Sequence, residues 1–239
     1  MRRVWVLAIL LAASGCGRYF AGPLRPLDRQ ASGMTVNDDG SVTFALERLR
    51  VTLQPMTDAQ LNRQFAGVSS RQAASTNPYT FGNWTPMGDA WTPPRFAVFL
   101  LKVSNYEYPK VLVDPAKARI TTTNNRAYRA LSYAELDEYY RAYWLGRTGV
   151  GGRDFESRTD LLRRTQFARQ MVFSGQEQEG YLVFPVLDDD VEEVRVHLPD
   201  IVLRFDFADQ PVESTDISFS FHRDVVRAYQ SPAELARQD

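Results

Sequence analysis

Cysteine and histidine are the scarcest resources of this chain, with one Cys and two His among 239 residues. One thiol cannot close an internal disulfide, so the fold must be held by packing. Nor can so few soft ligands build a zinc site, which needs several at fixed spacing. An excess of one charge is missing too: 28 Lys and Arg face 29 Asp and Glu. Without a basic surplus, nucleic acid is not an expected partner. No apolar run approaches the roughly 20 residues of a membrane-spanning helix. No G-x-S-x-G turn and no internal repeat occur. What is present is ordinary globular material, 44% hydrophobic and 24% charged, sufficient for a proper core.

The single cysteine stands where it has most meaning. Arg2 and Arg3 precede an apolar run from Val4 to Ala13. As a helix that run would span about 15 Å, half of a bilayer core of roughly 30 Å. It therefore reads as a secretory signal rather than a span. The run ends in Ala13-Ser14-Gly15-Cys16, which resembles the lipobox of bacterial lipoproteins, although that family more often places leucine where Ala13 stands. The resemblance implies cleavage before Cys16, diacylation of its sulfur and acylation of the new amine. Two or more chains anchor a protein stably. Gly17 in place of the aspartate that marks inner-membrane retention implies delivery to the outer membrane. Residues 1–15 are thus expected to be a signal peptide. Residues 16–35, with Pro23 and Pro26, are expected to be a lipidated tether.

Beyond the tether the patterning is mainly that of strands. Val42, Phe44 and Leu46 alternate in one phase and Leu49, Val51 and Leu53 in the other, as a tight hairpin or bulge would require. Thr57 caps a short helix to Phe65. Residues 96–105 are the strongest strand: Ala97, Phe99, Leu101 and Val103 make one apolar face, and Phe96, Val98 and Leu100 the other until Lys102 and Ser104. A strand apolar on both sides is covered on both sides. Ser132 and Glu135 form a capping box that opens a helix to about Leu145, and a second helix opens at Ser157. This αα-hairpin, an insertion over 132–170, supplies the second cover. Residues 194–198, 201–207 and 217–221 then alternate as half-buried antiparallel strands. The expected architecture is mainly β, an immunoglobulin-like antiparallel sandwich with a helical hairpin insertion, over residues 36–223. Residues 224–239 form a tail.

Chemistry is sparse. His197 and His222 sit out of phase with the buried residues of their strands and should face solvent. Asp188, Asp189, Asp190, Glu192 and Glu193 read as a solvated turn, because they lack the spacing and central glycine of a calcium loop. The glycines from Gly146 to Gly152 lack the Lys-Ser/Thr end of a phosphate loop and lie between helices, so they read as a connector. Arg163, Arg164 and Arg169 read as a solvated helical face. No catalytic set, metal site or cofactor is called for. The long loop over 67–94 carries Tyr79, Phe81, Trp84 and Trp91, either plugging one end of the sandwich or forming a binding surface.

Two stretches, Phe96–Pro115 with Val103-Ser104-Asn105, and Phe173-Ser174-Gly175 through Gly180-Tyr181-Leu182-Val183-Phe184-Pro185, resemble bacterial envelope β-sandwiches of immunoglobulin-like topology. The resemblance implies a non-enzymatic, surface-displayed module, and the leading expectation is a binding or assembly module that meets an envelope protein or a glycan. The alternatives are a lipid-tethered accessory enzyme acting on cell-wall glycan, or a structural spacer.

Overall fold

A computed structural model describes residues 18–71, 74–87, 92–146 and 152–228. The lipobox, Trp91, most of the glycine-rich connector and the last eleven positions lie outside them. In chain order the strands β1 (Arg18–Ala21), β2 (Arg25–Pro26), β3 (Met34–Val36), β4 (Val42–Leu46) and β5 (Leu49–Met56) precede helices α1 (Asp58–Gln64) and α2 (Ala66–Ser69). Then come β6 (Phe96–Asn105), β7 (Lys110–Leu112), β8 (Arg119–Thr122), β9 (Ala127–Arg129), α3 (Tyr133–Gly146) and α4 (Gly152–Thr165). The chain closes with β10 (Met171–Phe173), β11 (Gln176–Pro185), β12 (Glu193–Phe205), β13 (Pro211–His222) and β14 (Val225–Ala228).

The fold is mainly β, built from antiparallel sheets. One runs β11-β6-β5-β4-β3; the other runs β10-β7-β12-β13-β2, with β8 pairing the first half of β12 and carrying β9. The alternation read from the sequence decides which side chains meet. In the β4–β5 hairpin Val42 opposes Leu53, Phe44 opposes Val51 and Leu46 opposes Leu49. The phase switch is a two-residue turn, with Glu47 in the left-handed region at φ 53°. From β6 the inward Phe99, Leu101 and Val103 join Leu182 and Phe184 of β11. Facing them from the other sheet are Ile120, Val194, Val196, Ile201, Phe219 and Phe221, all in the same buried cluster. Burial of each such side chain contributes about 1.5–3 kcal/mol.

The outward face of β6 is covered as its composition demands. Phe96 and Val98, with Tyr181 and Val183 of β11, pack under Leu61 of α1, Leu136 and Tyr140 of α3 and Leu162 of α4. The Ser132–Glu135 capping box opens α3: the Ser132 amide donates to Glu135 at 2.9 Å and the Glu135 amide to Ser132 at 3.3 Å.

Several expectations are corrected. The supposed tether is folded from Arg18 onward, because β1 pairs β14, β2 pairs β13 and β3 pairs β4. The expected tail accordingly begins as strand. The second insertion helix starts at Gly152, not Ser157. Residues 193–205 are one strand, in which the register shift between Leu198 and Ile201 restores the inward phase, with Asp200 at φ 54°. Phe207 falls beyond that strand and is fully exposed.

Candidate functional site

The aromatic loop and the helical hairpin, separate features of the sequence, are brought together on the outer face of the five-stranded sheet. Asn77 organises the loop: its Nδ2 donates to Ser69 Oγ at 2.9 Å and its Oδ1 accepts from the Tyr79 amide at 2.9 Å. Tyr79 is completely buried. Its hydroxyl meets Thr165 Oγ1 at 2.5 Å and its ring lies 4.8 Å from that of Tyr181. Burial pushes this phenol well above its usual range. Tyr79 is therefore a plug and leaves the expected binding surface. Phe81 and Trp84 are half-buried, with ring centroids 6.0 Å apart.

Beside them sit two arginines absent from the expected site. Arg95 is 7% exposed and Arg158 5%. The Arg95 guanidinium lies 4.1 Å from the centre of the Phe81 ring, and its Nη1 donates to the Tyr140 hydroxyl at 2.9 Å. Arg158 donates from Nη2 to the Ser75 carbonyl at 2.5 Å. Both guanidinia stand 5.6 Å from the centre of the Tyr140 ring. Neither makes an ion pair among the described residues, and the Nε of each lacks a hydrogen-bond partner. Cation–π contact and carbonyl acceptors replace a carboxylate here. Burial pushes the Tyr140 phenol up to about 12, so it stays protonated and donates to the Pro78 carbonyl at 2.5 Å. One signal for Arg158 was legible: it stands four residues before Leu162, on the stripe of α4 that is buried. The cluster clamps the loop to the hairpin.

Where the outer face of β6 turns polar at Lys102 and Ser104, the helical cover ends and a groove of about 720 Å³ opens. Its floor is a row of hydroxyls and amides. Thr43 Oγ1 meets Thr52 Oγ1 at 2.8 Å and accepts from Asn37 Nδ2 at 2.9 Å. Lys102 pairs with Glu177 at 2.7 Å, and Ser104 donates to the same carboxylate at 2.9 Å. Those hydrogen bonds hold Lys102 above its usual range and Glu177 below it. Both stay charged near neutrality and neither is poised to shuttle a proton. Arg48 and Arg50 line the groove without an ion pair among the described residues, and Tyr106 lies exposed within it. This is a hydrogen-bonding, charge-bearing surface, suited to recognition.

A second hollow, of about 250 Å³, lies between Leu24, Met56, Phe96, Val98 and Leu187, with Asp58 at its wall. Burial pushes the Asp58 carboxyl up to about 6, against the opposing pull of Arg95. The folded protein thus holds a proton that the unfolded chain, with an ordinary value near 3.9, releases. Stability from this group is full below about pH 4 and lost as pH rises towards 6. Denaturation between pH 4 and 7 should show a decline of about 2–3 kcal/mol from this group, and Asp58→Asn should abolish it. An unchanged slope in the variant would contradict the assignment.

Most of the remaining candidates have local partners. His197 is half-buried, its Nε2 and Nδ1 each 2.8 Å from a hydroxyl, Thr121 and Ser218. His222 is also half-buried. Asp188 pairs with Arg126 at 2.9 Å, and Asp190 pairs with the same guanidinium. Arg163 donates to Tyr133, Arg164 pairs with Asp160, and Arg169 with Asp114. Cys16 and Trp91 lie outside the described residues. Compared with protein-family models, with curated proteins and with solved structures, the chain matches none.

Proposed function

We propose that this chain is a cell-envelope lipoprotein, acylated at Cys16 and carried to the outer membrane. Its immunoglobulin-like β-sandwich acts as a non-catalytic binding or assembly module. The immunoglobulin-like reading draws support from the order of pairing. β5, β6 and β11 adjoin in one sheet, while β7 and β8, then β12, then β13 adjoin in the other. That order parallels the A-B-E and C-F-G neighbours of such sandwiches. The observation that carries the binding role is the division of the outer sheet face. One half is sealed under helices, and the other is left as an open groove bearing Arg48, Arg50, Lys102 and Tyr106. The partner is an envelope protein or a glycan, met through hydrogen bonds and charge.

The test is photo-crosslinking in intact cells, with benzoylphenylalanine at Thr52 or Tyr106 in the groove and at Asp209 in the turn between β12 and β13 as control. A discrete adduct from the groove positions alone is the expected result. No groove adduct, together with glycan hydrolysis by the purified protein, would overturn the reading. In the same cells Cys16→Ala should move the protein from the membrane to the soluble fraction. Unchanged fractionation would remove the anchor from the proposal.

A further inference from the structure

Among the described residues, strands β1 and β14 pair with each other and join neither sheet. A lone two-stranded ribbon is marginally stable in water and gains from cover. Its register sets Arg18 opposite Ala228, Tyr19 opposite Arg227, Phe20 opposite Val226 and Ala21 opposite Val225. Directly paired residues share a face. One face therefore carries Arg18, Phe20 and Val226, and the other carries Tyr19, Val225 and Arg227. Each face pairs a guanidinium with a ring: Arg18 lies 5.7 Å from the Phe20 centroid and Arg227 5.6 Å from that of Tyr19. Tyr19 is 40% exposed and Val226 50%. Nearby, Arg25 faces Asp224 at 3.9 Å, so among the described residues this end carries Arg18, Arg25 and Arg227 beside Asp224.

The covalent chain says what lies next to this ribbon. Gly17 alone separates Cys16 from Arg18. At 3.8 Å per trans peptide, the two Cα atoms are within about 8 Å of each other. If Cys16 bears lipid, the ribbon is held at headgroup depth with no tether between. Aromatic rings and arginines are the side chains that suit this depth, the ring in the interface and the cation at phosphate. We infer that the β1–β14 ribbon is a membrane-seating foot, which lies in the headgroup layer of an anionic lipid surface and rests the sandwich directly on the bilayer. This inference rests on the lipoprotein reading for its placement, but the ribbon's own affinity for lipid is separately measurable.

The experiment uses the mature polypeptide made without residues 1–15 and with Cys16→Ser, so that no acyl chain contributes. It is sedimented with vesicles of phosphatidylglycerol and phosphatidylethanolamine, and with vesicles of phosphatidylcholine alone. Binding to the anionic vesicles only, weakening as salt is raised, is expected. The double variant Arg18→Glu/Arg227→Glu should lose at least about tenfold in binding. Tyr19→Ser/Val226→Ser should also weaken it. All four positions lie outside the buried clusters, and near-ultraviolet circular dichroism verifies the fold. Absence of binding to anionic vesicles at low salt, or equal binding by both variants and the parent, would overturn the inference. Mass spectrometry of the Cys16 peptide from the native protein keeps the two readings apart. An acylated Cys16 with a ribbon indifferent to lipid sinks the foot and leaves the anchor. An unmodified Cys16 with a ribbon that binds anionic vesicles does the reverse.

Discussion

Asn105→Ala is expected to cost roughly 3–5 kcal/mol, because it strands several buried backbone groups at once. The side chain is fully buried at the end of β6. Its Nδ2 donates to the carbonyls of Tyr108 and Val172, both at 2.8 Å. Its Oδ1 accepts from the amides of Glu107 at 3.2 Å and Tyr108 at 3.0 Å. Asn105 thereby fastens the turn that carries the chain from one sheet to the other, and ties that turn to β10. Each buried polar group left without a partner costs about 1–3 kcal/mol, against a total stability of about 5–15 kcal/mol for a typical domain. Asn105→Asp is the sharper variant. It preserves size and the accepting oxygen, yet turns an oxygen towards two carbonyls. Urea denaturation should show both variants with much lower midpoints, and a loss below about 1 kcal/mol for either would refute this role.

Gly180→Ala should be comparably damaging for a steric reason. A Cβ there would stand 2.6 Å from the Phe167 Cα and 2.7 Å from its amide nitrogen. Those are backbone atoms of the segment leaving α4, where the Phe167 amide donates to the Tyr181 carbonyl at 2.9 Å. A side-chain tip could rotate away, but this backbone is fixed to β11 and must be displaced. A cost of about 3 kcal/mol is expected, concentrated where the helical hairpin meets the sheet. Limited proteolysis should cut the helical hairpin faster in the variant, before the sheets themselves open. Gly67→Ala is the control: a Cβ there would meet nothing within 4 Å among the described residues, and alanine in a helix is favoured by about 0.5–1 kcal/mol. If both variants resist protease like the parent, the close approach at Gly180 is not structural.

Much of the sandwich was legible because its signals are local. The two phases of residues 42–53 forced a turn between Leu46 and Leu49. The two-sided apolarity of β6, ending at Lys102, foretold both the helical cover and where it stops. The capping box at Ser132 fixed the start of α3. What was not legible depends on partners distant in sequence. Residues 18–21, Arg-Tyr-Phe-Ala, are too few for a sustained alternation, and their pairing partner lies at the other end of the chain. Prolines at 23 and 26 made that stretch read as linker, yet Pro26 is accommodated on the short edge strand β2, where a missing amide is tolerated. The site was legible only in part. The aromatic loop stood out by composition, but composition does not separate a ring that plugs from one that is displayed, and Tyr79 plugs. The groove has no signature of its own. It arises because Thr43, Thr52 and Lys102 come side by side from three strands.

The antiparallel register of β1 and β14 also has a mechanical meaning. Arg18 pairs with Ala228, so the first residue of the ribbon lies at its open end. In a chain held by its amino terminus, traction would load those hydrogen bonds one after another, as in unzipping, rather than together in shear. β1 would peel first and free residues 18–24, a segment with a contour of about 24 Å at 3.3–3.6 Å per residue. Only then would the pull reach β2, where Pro26 and Arg25 are paired to Phe221 and His222 of β13. The ribbon would act as a weak link in series with the core, extending under load while the sandwich stays folded.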